Sequence, residues 1–120
     1  MSFQIEIRNM GIGCYGRKLS AWASGQPLVN RLWVFGSRAR DNYRLDSDLD
    51  IAIELDMSAA YGADESGGFA TWALESSEWQ HQLEELTDLR VDLQYYHEIS
   101  TPTIQSGLQQ SSVLIYSKNV

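Results

Sequence analysis

Residues Leu32 to Leu55 constrain this chain more than any other stretch. They read LWVFGSRARDNYRLDSDLDIAIEL. An apolar run, Leu32-Trp33-Val34-Phe35, stops abruptly at Gly36-Ser37. A polar segment then leads to Asp48-Leu49-Asp50 and a second apolar run ending at Leu55. Leu49, Ile51, Ile53 and Leu55 alternate with Asp48, Asp50, Ala52 and Glu54, so one set lies on each face of a strand. Asp48 and Asp50 therefore project from one face, about 6.5–7 Å apart along the backbone. Two like charges that close repel unless a cation sits between them. Hard carboxylate oxygens favour Mg²⁺ or Mn²⁺ over zinc.

The turn between the runs supplies the complementary chemistry. Gly36 lets the backbone approach a ligand closely. Ser37 suits the N-cap of a short helix running to about Asn42, and a helix N-terminus is an anion site. The Ser37 hydroxyl can donate to a phosphate oxygen, and Arg38 or Arg40 can offset the charge of a triphosphate. A phosphate-bearing substrate would also complete the coordination of Mg²⁺, which a few carboxylates leave unfinished.

The remaining chain reads as follows. Phe3-Gln4-Ile5-Glu6-Ile7 alternates like a short strand. Gly11, Gly13 and Gly16 are expected to break any long element, leaving a helix from about Tyr15 to Trp22 that Gly25-Gln26-Pro27 stops. Asp56 to Phe69 is a loop. Trp72 to Leu89 is the clearest helix, with Trp72, Trp79, Leu83 and Leu86 near one stripe and Glu75, Glu78, Glu84 and Glu85 largely off it. Val91, Leu93 and Tyr95 alternate with Arg90, Asp92, Gln94 and Tyr96. This third strand carries Asp92 on its polar face, where it would complete a two-metal site with Asp48 and Asp50. Pro102 opens a helix to about Gln110, and Val113 to Tyr116 forms a last strand. The expected fold is α+β in a single domain over residues 1–120. It is a small mixed, largely antiparallel sheet with helices packed on one face and the active face open.

Composition narrows the function classes. The 120 residues allow one modest core. A formal net charge of -7 argues against direct nucleic-acid binding, which relies on Lys and Arg neutralising phosphates. One cysteine, Cys14, cannot form an internal disulfide. No signal peptide or membrane-length apolar run is visible, so a cytoplasmic setting is expected. Zinc lacks its ligand spacing, with only Cys14, His81 and His97 available. Asp46, Asp48 and Asp50 spell part of a calcium loop, but Ile51 and Met57 stand where it needs Gly and Glu. No Walker-type phosphate loop is present.

Gly36-Ser37, ten intervening residues and then Asp48-x-Asp50 resembles the signature of the DNA polymerase beta-like nucleotidyltransferase superfamily. The resemblance is closest to the minimal nucleotidyltransferases (MNT). Gly36-Ser37-Arg38-Ala39-Arg40 is similar to their turn, and Ser47-Asp48-Leu49-Asp50-Ile51 to their second motif. It covers roughly Leu32 to Tyr96, and more loosely the terminal strand near Tyr116. Asp41 departs from the family, which commonly has glycine there. An acid at that position either weakens triphosphate binding or simply faces solvent.

The resemblance implies that Asp48 and Asp50 hold both Mg²⁺ ions, and that Asp92 binds metal on the acceptor side and helps deprotonate the incoming hydroxyl. Gly36 and Ser37 would hold the β- and γ-phosphates of ATP or another NTP. A nucleoside monophosphate would move to an acceptor hydroxyl as pyrophosphate leaves. The family also suggests a partner. Minimal nucleotidyltransferases resemble the antitoxin halves of pairs with HEPN proteins, and such antitoxins can adenylylate a tyrosine of the toxin. A homo-oligomer is the other expected assembly. Two further readings compete: a non-catalytic subunit that binds nucleotide or partner, and a small-molecule transferase, which would normally need an acceptor domain.

Overall fold

The computed structural model of the chain describes residues 10–39, 47–59, 68–97 and 101–118. The strand expected at residues 3–7 lies outside them, as do Arg40, Asp41 and Asp46. In chain order the elements are helix α1 (Met10–Ser24), strand β1 (Val29–Phe35), a 3₁₀ turn (Gly36–Arg38) and strand β2 (Leu49–Leu55). Helix α2 (Phe69–Thr87), strand β3 (Val91–Tyr96), helix α3 (Pro102–Gln110) and strand β4 (Ser112–Ser117) follow.

The strands form one mixed sheet in the order β3-β2-β1-β4. β1 runs antiparallel to both β2 and β4, and β2 runs parallel to β3. Parallel neighbours need a crossover rather than a hairpin. The 19 residues of α2 supply it between β2 and β3. β4 also runs parallel to β3, so α3 makes a second crossover.

The alternation in β2 sorts the two faces as expected. Leu49, Ile51 and Ile53 are fully buried, together with Leu32 and Val34 of β1. They pack against Leu19 of α1 and Trp79 and Leu83 of α2 in one apolar cluster. Helices α1 and α2 thus share one face. α3 adds a contact near the other: Gly107 lies against the Phe35 ring, which an added Cβ would meet at 3.7 Å. Phe35 is paired with Asp50, so the acid-bearing face is bounded by α3 at the end of β1.

Two local expectations are corrected. Helix α1 runs through Gly11, Gly13 and Gly16 instead of stopping at them. Each glycine costs a helix about 1 kcal/mol relative to alanine. Burial of Tyr15, Leu19 and Ala23, four residues apart on one stripe, offsets that cost. The second concerns Glu84, read only as lying off the apolar stripe. Its Oε2 accepts the Val91 N–H at 3.0 Å, fastening the end of α2 to the start of β3. Asp88 closes that helix in a left-handed conformation, and its N–H donates to the Glu84 carbonyl at 2.9 Å.

Candidate active site

The site begins where β1 ends. Phe35 is in register with Asp50, and Gly36 follows with φ +73°. A Cβ at Gly36 would overlap Asp50 Oδ2 and lie 3.2 Å from its Cγ. Glycine is therefore required twice, for its backbone angle and for the space the carboxylate occupies. The chain turns at once into the 3₁₀ segment, and the Ala39 N–H donates to the Gly36 carbonyl at 3.1 Å. Phe35 is the residue in N-cap position and makes no side-chain cap. Ser37 therefore sits inside the turn and is not the cap expected of it. The positive φ at Gly36 starts the turn one residue earlier.

Asp50 and Asp92 are register partners on the parallel pair β2 and β3, which places both on the face opposite Ile51. Asp48 stands one residue before β2, with Arg90 Nε 3.9 Å from its Oδ1. The backbone fixes that approach, because the Leu49 N–H donates to the Arg90 carbonyl at 2.8 Å. Asp92 Oδ1 accepts the Gln94 side-chain amide at 2.7 Å. Among the described residues, no three His, Cys, Asp or Glu side chains are drawn close enough together to hold a metal ion. The donor set itself fits Mg²⁺, since it consists of carboxylates alone.

Arg38 departs from its expected role. It is buried, and it donates from Nη2 at 2.9 Å and from Nε at 3.3 Å to the Ser47 carbonyl. Its guanidinium thus meets protein backbone where a phosphate was expected. Arg40 lies outside the described residues. His97 follows the end of β3, while Asp92 is near its start. Its backbone N–H and carbonyl bond with Thr101, which makes it a strand-end residue and not a lining of the site. His81 is exposed beside Glu85.

Two contributors escaped the sequence. Gln94 follows Asp92 by two and so shares its face, a signal that alternation alone could have given. Arg90 reaches Asp48 only because β2 and β3 pair in parallel, a long-range fact that no local pattern carries. Trp33 and Tyr96 also meet, with ring centroids 4.9 Å apart, across the buried Ala52.

A family model described as "Polymerase beta, Nucleotidyltransferase" matches residues 17–120. The chain belongs to this family. The match takes in the Leu32–Tyr96 segment that carries the motifs, the terminal strand near Tyr116, and part of helix α1 before them. Among curated proteins, none matches the sequence closely enough to count as a relative. The nucleotidyltransferase domain is similar in structure to a chain of a toxin–antitoxin crystallised with AMP-PNP. The TM-score is 0.62 at 20% identity, over 86% of this chain and 73% of that one. It is also similar to a chain of a tri-AMPylated Shewanella oneidensis HEPN toxin in complex with MNT antitoxin. There the TM-score is 0.57 at 19% identity, over 88% and 72%. A chain of the toxin–antitoxin MntA-HepT gives 0.54 at 20%, over 88% and 73%. At such identities the likeness shows a shared fold. Among the described residues, no helix of this nucleotidyltransferase is long and apolar enough to cross a membrane.

Proposed function

We propose that this domain moves a nucleoside monophosphate, AMP from ATP, to an acceptor hydroxyl and releases pyrophosphate. One observation carries the reading: the Gly36 turn is pressed against the Asp50 carboxylate, with Asp92 in register beside it. A glycine turn suited to phosphate and two carboxylates suited to a hard cation thus adjoin, in a domain whose family performs nucleotidyl transfer. Bound Mg²⁺, held by Asp48, Asp50 and Asp92, would neutralise the triphosphate and acidify the acceptor hydroxyl. Mn²⁺ would serve the same ligands.

The chain's own residues have separate tasks. The Gly36 and Ser37 backbone and the Ser37 hydroxyl hold the β- and γ-phosphates. Asp92 takes the proton of the acceptor hydroxyl. The acceptor oxygen then forms a bond to the α-phosphorus in line with the breaking bond to the β-phosphate bridge, and pyrophosphate leaves with that electron pair. The acceptor is a tyrosine of a HEPN-type partner protein, a reading supported by complexes of that kind having the same fold. A homo-oligomer is the other assembly to test. The setting is cytoplasmic.

A second reading keeps the fold as a non-catalytic subunit that binds nucleotide or partner. It is favoured by the partners of the two outer acids, since Asp48 lies near Arg90 and Asp92 accepts a hydrogen bond from Gln94. Incubation with α-labelled ATP, Mg²⁺ and the product of the neighbouring gene separates the two. Label should appear on protein, and Asp48→Asn or Asp92→Asn should abolish it. Transfer undiminished in both variants refutes the metal-site assignment, and no transfer with any NTP favours the binding subunit.

A further inference from the structure

Arg38 is the only buried charged side chain among the described residues. A guanidinium leaves water only where hydrogen bonds replace its hydration. Here Nη2 and Nε both point at one acceptor, the Ser47 carbonyl, at 2.9 and 3.3 Å. The two ends of this contact are telling. Arg38 directly follows Gly36-Ser37, and Ser47 directly precedes Asp48. One side chain therefore joins the turn that ends β1 to the residue that opens the carboxylate motif.

We infer that Arg38 is a positioning residue, a latch that fixes the phosphate-binding turn relative to Asp48, and not itself a phosphate ligand. The inference rests on the proposed function. There, Ser37 and the metal that Asp48 would help hold act on one triphosphate, so their spacing sets the in-line geometry. A rigid planar fork can bring two N–H groups to one carbonyl, whereas the ammonium of lysine is a single point on a flexible stem. Arg38→Lys keeps the charge and loses the latch. Its effect therefore separates positioning from charge.

The test uses the full chain and Arg38→Lys, with Arg38→Gln as a second variant that retains one amide donor and no charge. Amide hydrogen exchange is measured first, without metal. Both variants should exchange about tenfold faster at Asp48 to Asp50 while the β4 amides keep their wild-type rates. Mn²⁺ binding, followed by electron paramagnetic resonance, should weaken about 10–100-fold, the usual cost of losing support behind a metal ligand. That loss should vanish in an Asp48→Asn background, because the latch acts through Asp48. Binding of pyrophosphate alone, in the presence of chelator, should be unchanged. Unchanged exchange at Asp48 to Asp50 together with a tenfold loss of pyrophosphate affinity would make Arg38 a phosphate ligand and overturn the latch. Faster exchange across all four strands, or equal Mn²⁺ loss in both backgrounds, would make it an ordinary core residue and overturn it too. A wild-type chain that binds no Mn²⁺ would overturn the proposed function instead, and the exchange rates would still decide the latch.

Discussion

At Gly36 a single missing methyl group decides whether the site can exist. The Asp50 carboxylate occupies the space a Cβ would need, and the backbone angle is one that side chains resist. Gly36→Ala should therefore abolish nucleotidyl transfer and also lower stability by about 1 kcal/mol or more. A urea titration beside the transfer assay checks both effects. A variant that is stable yet active would mean that the turn relaxes freely. The Gly36 turn and the Asp48-x-Asp50 pair could be read as candidates because their spacing is local, and strand alternation put Asp50 and Asp92 on polar faces, though not beside each other. The burial of Arg38 and its bond to Ser47 could not be read. A sequence displays the charge of arginine but not its burial, and no periodicity links Arg38 to Ser47 nine residues on. Ser37 shows the smaller version of the same limit, since a residue that looks like a cap became an interior turn residue once glycine moved the turn.

Elements hold the site through contacts that are mostly remote from it. The long helix α2 was readable from its stripe, and the α3 boundaries from Pro102 and the run to Gln110. Helix α1 was not readable at full length, because propensity counts its three glycines while tertiary burial of Leu19 and Ala23 outweighs them. Leu83 is fully buried between α2 and the sheet. Leu83→Ala should cost about 2–5 kcal/mol in a urea unfolding curve, where a loss under 1 kcal/mol would contradict the packing described.

Lys118, just past β4, ties three elements together. Its Nζ donates to the Pro27 carbonyl at 2.7 Å and pairs with Asp56 at the end of β2. The hydrogen bond from Lys118, with help from Ser58, lowers the Asp56 carboxyl from 3.8 to about 2. A carboxyl lowered on folding stabilises the fold above its unfolded value, and the contribution is lost as pH falls through the folded value. Asp56→Asn should thus lower stability by up to about 1 kcal/mol at neutral pH. The difference from wild type should shrink between pH 4 and pH 2. A difference that stayed constant across that window would place the stabilisation elsewhere.

On the scale of the whole molecule, the mixed sheet order β3-β2-β1-β4 is what brings distant motifs together. Asp92 lies more than forty residues beyond Asp50 in the chain, yet the parallel pairing makes them register partners. The helix between them is the crossover that such pairing demands. The net charge of -7 then gives the domain a surface suited to cations and basic partners more than to nucleic acid. The central claim is that the bond broken lies between the α- and β-phosphates. Parallel reactions with α-labelled and γ-labelled ATP, Mg²⁺ and the partner protein test it most directly. The account predicts α-label on protein, γ-label released as pyrophosphate, and a loss of roughly a hundredfold or more in both signals for Asp50→Asn. γ-label on protein, or α-label transfer that survives Asp50→Asn, would contradict it.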